Sequence, residues 1–210
     1  MLLANAYLDR IDFLRYLPQT DCAECGASTC QGFVEGLKQG EKKPADCPGI
    51  SENLHYSFQV ALNADNILPK FPCTTVPQPG PVGLVEINVP GGISPILVSG
   101  NNVHTQDVLT SLLSTTRSAF FMFFVDTKGH TVDMALIYET LTAGQIRRDI
   151  LNSRALKRNP RPQIIIPGLA AAVGNKLRQS TGWNVIVGPI CAAELPLFLA
   201  NQWLPPGKRI

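Results

Sequence analysis

The sequence predicts an α/β protein in two parts. A small N-terminal cysteine-rich domain precedes a C-terminal Rossmann-like or flavodoxin-like sheet, mainly parallel, with helices on both faces. Three observations carry this expectation. Four of the six cysteines fall between positions 22 and 47. From about residue 95 onward, short apolar runs alternate with helical patterns, as in an α/β layer fold. Between these regions the stretch FPCTTVPQPGPVGLVEINVPGG, residues 71–92, has the Pro and Gly content of a connector. The boundaries that follow are 1–55 for the cysteine domain, 56–80 for a linker and 81–210 for the α/β domain.

The elements follow in order. MLLANAYLDRIDFLRYLP opens the chain, but Asp9, Arg10 and Asp12 break its apolar run, so it does not read as a signal peptide. Leu8, Ile11, Leu14 and Leu17 recur at helical spacing and predict a short amphipathic helix. Residues 84–89 alternate like an edge strand, and PILVSG (95–100) is the first core strand, followed by a helix over 104–114. FFMFFVDT (120–127) is continuously apolar, as a strand buried on both faces should be. Helices are expected over 131–138 and over 143–154, the second capped by Thr142. Then come the strand QIIIPG (163–168), a helix over 169–180, the strand NVIVGP (184–189) and a last helix over 192–203.

Composition bounds the function. Apolar content of 45% and charged content of 16% over 210 residues suit a folded chain with a real core. A net charge of +2 predicts neither a nucleic-acid-binding stripe nor an acidic tail. No apolar stretch approaches the roughly 20 residues of a membrane span. The expected location is cytoplasmic, where thiols stay reduced and clustered cysteines more often bind metal than form disulfides.

The cluster is spaced Cys22-x2-Cys25-x4-Cys30-x16-Cys47, with Pro48 following. A structural zinc site usually uses two close cysteine pairs, each wrapping one edge of a tetrahedron. One such pair is present here, with a third cysteine close by and the fourth distant. That grouping suits a [4Fe-4S] cube, three corners held by a tight loop and the fourth by a remote residue. Gly26 would let backbone N–H groups approach the sulfurs. Zinc and a disulfide are the competing readings. Cys73 and Cys191 lie outside the pattern and read as small buried hydrophobes.

Each core strand runs into small or polar residues: Ser99-Gly100-Asn101-Asn102, Asp126-Thr127-Lys128-Gly129, Pro167-Gly168 and Gly188-Pro189. Parallel sheets place ligands at these carboxyl ends, although the same glycines could simply make turns. Neither G-x-G-x-x-G nor G-x4-G-K-[ST] is present, so a dinucleotide or P-loop nucleotide is not supported. No serine sits in a G-x-S-x-G elbow. Among His55, His104 and His130, the last follows Gly129 at a strand end and is the one expected to face a ligand. No histidine follows Asp in the order Asp-x-His-x-x-Gly.

LPQTDCAECGASTCQGFVEGLKQGEKKPADCPG resembles the [4Fe-4S] domain of the large (gamma) subunit of the corrinoid iron–sulfur proteins, of the acetyl-CoA synthase/decarbonylase pathway. PGGISPILVSGNNVHT, FFVDTKGHTVDMA, IIIPGLAAAVGNKLRQSTGWNVIVGP and ELPLFL resemble the corrinoid domain of the same subunit, in the same order and spacing. The likeness covers about residues 8–50 and 76–203. It implies a cobalamin held base-off, with no protein histidine on its lower face; the missing Asp-x-His-x-x-Gly agrees. By position, the contacts implied are Ser99, Gly100 and Asn101; Thr127, Gly129, Thr131 and Met134; Gly168, Leu169 and Ala170; and Gly188 and Pro189. His130 joins them from its place beside Gly129. Cys22, Cys25, Cys30 and Cys47 are the implied cluster ligands.

Two departures stand out. The barrel domain that separates the two modules in this family is replaced here by the short connector, which puts the usual heterodimer in doubt. In the related mercury-methylating corrinoid protein, a helix at 130–135 carries a cysteine facing cobalt; here Met134 falls at that position, as a weak sulfur donor or as apolar filling under the corrin. The resemblance implies a methyl carrier in a methyltransferase system rather than a stand-alone enzyme, its cobalt reactivated by the cluster with electrons from a low-potential donor. Its partner would be a methyltransferase or another corrinoid protein. The rival is an electron-transfer activator that docks on a separate corrinoid protein, and a zinc-bearing interaction module is the third reading.

Overall fold

Five apolar stretches pair into one sheet: β1 (Gly83–Ile87), β2 (Ile96–Gly100), β3 (Phe120–Val125), β4 (Gln163–Ile166) and β5 (Asn184–Val187), in the spatial order β1-β3-β2-β4-β5. Nine α-helices are described: α1 (Cys30–Gln39), α2 (Glu52–Leu62), α3 (Ala64–Ile67), α4 (Val103–Leu113), α5 (Val132–Ile137), α6 (Ala143–Asn152), α7 (Ala155–Arg158), α8 (Ala171–Thr181) and α9 (Leu195–Leu199). The computed structural model describes residues 6–72 and 76–207, so Cys73 lies outside the described residues. None of the described helices is long and apolar enough to cross a membrane.

The described residues fall into two units. One gathers those of 1–70, 114–117 and 191–210; the other takes 71–113 and 118–190. This division departs from the boundaries expected of the sequence. Residues 56–62 and 64–67, expected within a linker, are helical in α2 and α3 and belong to the first unit, as does the C-terminal segment from Cys191.

In the first unit the predicted opening helix is two 3₁₀ turns, Leu8–Arg10 and Phe13–Tyr16, separated by an extended Ile11. The reason is local competition for backbone donors. Asp65 accepts the N–H of Leu8 at 2.9 Å and of Tyr7 at 3.3 Å, and the Asp12 carboxylate accepts from Arg15 N–H at 3.3 Å, which starts a new turn. The residues buried are therefore Ile11, Phe13 and Leu17. Phe13 stacks against Phe58 of α2 with centroids 6.0 Å apart, and α2 packs on α9. The last predicted helix is also broken. A 3₁₀ turn (Ala192–Glu194) leads into α9, which stops at Ala200, held at φ +47°, before a second 3₁₀ turn (Ala200–Gln202).

In the second unit β2, β3, β4 and β5 are parallel, joined through helices as parallel strands require, while β1 runs antiparallel along β3 at one edge. Every residue of β2 and β3 is buried, which explains their unbroken apolar sequence. Alternate residues Ile96, Val98, Phe121, Phe123, Ile164 and Ile166 share one core with Ala135 of α5, Ile146 and Ile150 of α6 and Leu177 of α8. The chain leaves β2 toward β3 on one side and returns to β4 on the other. The β2–β4 boundary is thus the switch point at which ligands of open parallel sheets bind.

Candidate functional site

The four cysteines of the spacing pattern line one cavity of about 430 Å³. Cys30 is the first residue of α1, and the helix begins there for two reasons. Thr29 accepts the Gly32 N–H at 3.0 Å as N-cap, and Asp21 accepts the Cys30 N–H itself at 2.6 Å. A sulfur at this point sits at the positive end of a ten-residue helix. Cys47 closes the cavity after a 3₁₀ turn (Pro44–Asp46) in which Asp46 Oδ2 accepts the Lys43 N–H at 2.7 Å. Cys30 and Cys47 are buried, Cys25 half-buried and Cys22 exposed.

The loop that carries the first two cysteines is strained. Gln19, Asp21 and Ala23 have φ of 54°, 47° and 59°, and Gly26 has φ of 75°. Left-handed backbone costs a side-chain-bearing residue about 1–2 kcal/mol, and such strain concentrates at ligand-holding sites. No propensity in the sequence marked Gln19 or Ala23, whereas Asp tolerates this conformation better than most residues. Burial pushes the Cys47 thiol up. The nearby Cys25 and Cys30 sulfurs add to that, and the N–H groups of Gly49 and Ile50 offset only part of it. Gathered thiolates repel one another, so a cationic centre is what would hold them deprotonated together.

Among the described residues, no three His, Cys, Asp or Glu side chains stand close enough to share a single metal ion. The cysteines nonetheless face one space. Four thiols lining one cavity, beside Asp21 and Glu24, are the donor type that an iron–sulfur group takes.

The carboxyl edge of the sheet divides into a closed part and an open part. At the ends of β2 and β3, Asn101 is the hub. Its Oδ1 accepts N–H bonds from Thr127 at 2.9 Å and Gly129 at 3.1 Å, and its Nδ2 donates to the Gly80 carbonyl at 3.0 Å. Asn102 Nδ2 donates to the Gly129 carbonyl at 2.8 Å, while its Oδ1 caps α4 through Thr105 N–H at 3.2 Å. Thr127 donates its hydroxyl to the His130 carbonyl at 2.9 Å. Gln78 and Pro79 lie directly over Gly129, where a Cβ would strike their backbone. Of the residues expected to contact a ligand, Ser99, Gly100, Asn101, Thr127 and Gly129 are accordingly buried. Asn101 and Thr127 spend their polar groups on internal bonds. The Pro-rich segment, expected to be a free connector, is what covers this part.

The turns after β3, β4 and β5 are more open. His130, Thr131 and Met134 are partly exposed, as are Gly168 and Gly188; Leu169 is exposed, while Ala170 and Pro189 are buried. The ends of β4 and β5 are tied by Gly168 N–H to the Pro189 carbonyl at 2.9 Å and Gly188 N–H to the Ile166 carbonyl at 2.8 Å. Gly168 cannot carry a side chain there, because a Cβ would lie 2.8 Å from Ile190 N. The His130 ring lies 4.8 Å from that of Tyr138, and its Nδ1 is buried without a hydrogen-bond partner. Ile137, Tyr138, Leu169 and Ile190, on these turns or at the end of α5, are 47–72% exposed. A flat apolar group could rest on such a surface. The sequence reading missed Ile137, Tyr138 and Ile190, because exposure of apolar residues is not written in a local pattern.

The chain therefore belongs to a class defined by a four-cysteine loop-and-helix unit together with a flavodoxin-like α/β unit. Residues 17–48 match a family model described as "Putative Fe-S cluster". Residues 69–199, more than half of the chain, match the model of the CO dehydrogenase/acetyl-CoA synthase delta subunit, and the chain is a member of that family. It is also similar to subunits gamma of the acetyl-CoA decarbonylase/synthase complex. Identity is 27% over 123 residues with the protein of Archaeoglobus fulgidus (59% of this chain, 26% of the relative). It is 30% over 128 residues with that of Methanopyrus kandleri (61% and 28%), and 31% over 124 residues with gamma 2 of Methanosarcina thermophila (58% and 26%). Each alignment thus takes in little more than a quarter of the relative's length.

Proposed function

We propose that this chain is a small corrinoid iron–sulfur protein. Its cysteine unit holds a low-potential [4Fe-4S] cluster, and its α/β unit engages a base-off cobalamin at the turns after β3, β4 and β5. It serves as a cytoplasmic methyl carrier within a methyltransferase system. The observation that carries this reading is the convergence of Cys22, Cys25, Cys30 and Cys47 on one cavity, in a chain whose second unit belongs to a one-carbon enzyme family.

A bound cluster would supply single electrons at low potential, and a corrinoid would supply the methyl-transfer chemistry. The protein's own part is to hold and to shield. The left-handed loop and the start of α1 fix the thiolates, and the Leu169 and Ile190 side chains offer an apolar seat. The glycine at 168 lets the β4 and β5 turns close up on each other. A methyltransferase or corrinoid-protein partner and a low-potential electron donor complete the proposed system.

Closure of the β2–β3 end favours a second reading. With Asn101 and Thr127 occupied internally and Gly129 under Pro79, the chain could act as the reductive activator of a corrinoid held by a separate protein. One experiment separates the two. Protein prepared anaerobically is assayed for iron, sulfide and corrinoid, and then mixed with cobalamin. Iron and sulfide together with a base-off absorption spectrum support the carrier. Iron and sulfide with no spectral change on adding cobalamin select the activator. Zinc in place of iron overturns both.

A further inference from the structure

We infer that Lys42 is a built-in electrostatic regulator of the cysteine cavity, fixed so that its ammonium group raises the reduction potential of the cluster proposed above. The inference rests on that reading. Three contacts place Lys42. Its Nζ donates to the Cys25 carbonyl at 2.9 Å, on the loop that carries two of the four thiols. That same Nζ would lie 3.2 Å from a Cβ on Gly26, the residue after Cys25. Its stem crosses α1 at Gly36, where an added Cβ would come within 2.7 Å of Lys42 Cγ.

The backbone prepares this path. After α1 ends at Gly40 (φ 78°), the N–H groups of Glu41 and Lys42 both return to the Gly36 carbonyl, at 2.9 and 3.1 Å. The chain thus reverses over the helix, and the side chain is laid back along it toward the cysteines. Gly36 is buried in the middle of a helix, where glycine is otherwise unfavourable by about 1 kcal/mol. The absence of a side chain there is what gives Lys42 its passage. Lys42 is half-buried and takes no part in the ion pairs found among the described residues, so no carboxylate in those pairs neutralises it. Asp21, the acid nearest Cys30 in the hydrogen-bond network, is held by the Cys30 N–H.

A cation held beside the loop stabilises the state that has gained an electron. The reduction concerned is uptake of one electron by the cluster from an external low-potential reductant, with no bond made or broken by Lys42. The lysine acts through the loop and the local field, and it is a positioning and tuning residue.

The test uses the full chain with its cluster assembled anaerobically, and follows the electron paramagnetic resonance signal of the reduced cluster during a potentiometric titration. With the solution held at the wild-type midpoint, Lys42→Met should lower the reduced-to-oxidised ratio by about threefold or more, given the strength of a charge pair at a partly exposed site. Lys42→Glu should lower it further, and Lys42→Arg should keep it near the wild-type value. An order set by charge is not what a purely structural role would give. If Lys42→Met does not assemble a cluster, Gly36→Ala decides: it displaces the stem while keeping the lysine, and should lower the ratio in the same direction. An unchanged midpoint in a fully loaded Lys42→Met, or in a loaded Gly36→Ala, overturns the inference. Absence of iron in the wild type would overturn instead the reading on which it rests, and is measured first.

Discussion

The Tyr16 hydroxyl donates to Glu194 Oε1 at 2.6 Å, joining residues 178 positions apart. Glu194 is buried, and burial of Tyr16, together with this bond, raises its phenol well above the ordinary tyrosine range. The bond ties the segment leading into the cysteine loop to the C-terminal segment of the same unit. Removing it with Tyr16→Phe leaves a buried carboxyl group short of a donor and should cost about 1–3 kcal/mol. Urea unfolding followed by circular dichroism measures this, and a midpoint equal to wild type would show that the bond contributes nothing.

Cys30 and Cys47 are the buried members of the cysteine set, so their loss should be felt most. Cys30→Ser or Cys47→Ser should remove most of the iron and the brown colour from anaerobically reconstituted protein. Cys191→Ser, outside the cavity, should leave both at the wild-type level. Equal iron in all three variants would detach the cavity from metal binding.

Asn101 accepts from two buried N–H groups and donates to the Gly80 carbonyl, and its loss orphans several groups at once. Asn101→Ala should destabilise the protein by about 3 kcal/mol or more, at roughly 1–3 kcal/mol for each buried polar group left unpaired. It should also free the 78–80 segment, seen as new protease cleavage near Pro79. If cleavage and stability both match wild type, the hub is not what closes the β2–β3 end.

Burial alone would raise the Asp65 carboxyl, but the Leu8 and Tyr7 N–H groups and Lys70, 3.1 Å away, outweigh it and hold it below the usual aspartate range. A carboxyl whose folded pKa is depressed contributes stability above its unfolded value, about 3.9, and loses that contribution as pH falls through the folded value. The stability difference between wild type and Asp65→Asn should therefore be constant from neutral pH to about pH 5 and shrink below about pH 4. Thermal melts at several pH values test this; a difference that does not change with acid would rule it out.

Much of the fold was legible because it was written locally. The five strands lie where the apolar runs placed them, down to β1 as an edge strand, since a strand buried on both faces must be apolar without interruption. Thr142 caps α6 as expected, its hydroxyl accepting the Gln145 N–H. The opening helix was misread because Leu8, Ile11, Leu14 and Leu17 have the right period, but Asp65, more than fifty residues away, takes the first donors. Within the candidate site, the cysteine spacing was visible and the left-handed loop was not. Gln19 and Ala23 have no intrinsic preference for positive φ, and the fold imposes it.

By itself the sequence determined the order of the strands and of the longer helices between them in the second unit, the four-cysteine pattern and the turns that end each core strand, all of which depend on neighbours within a few residues. Only the tertiary structure decided that the C-terminal segment packs with the first unit, and that the ends of β2 and β3 are closed while those of β4 and β5 are more open. Those outcomes hang on single hydrogen bonds between distant residues, Tyr16 to Glu194 and Asn101 to Gly80, and on the close approach of Pro79 to Gly129. Such contacts leave no periodicity in the chain, because their partners are chosen by packing rather than by spacing.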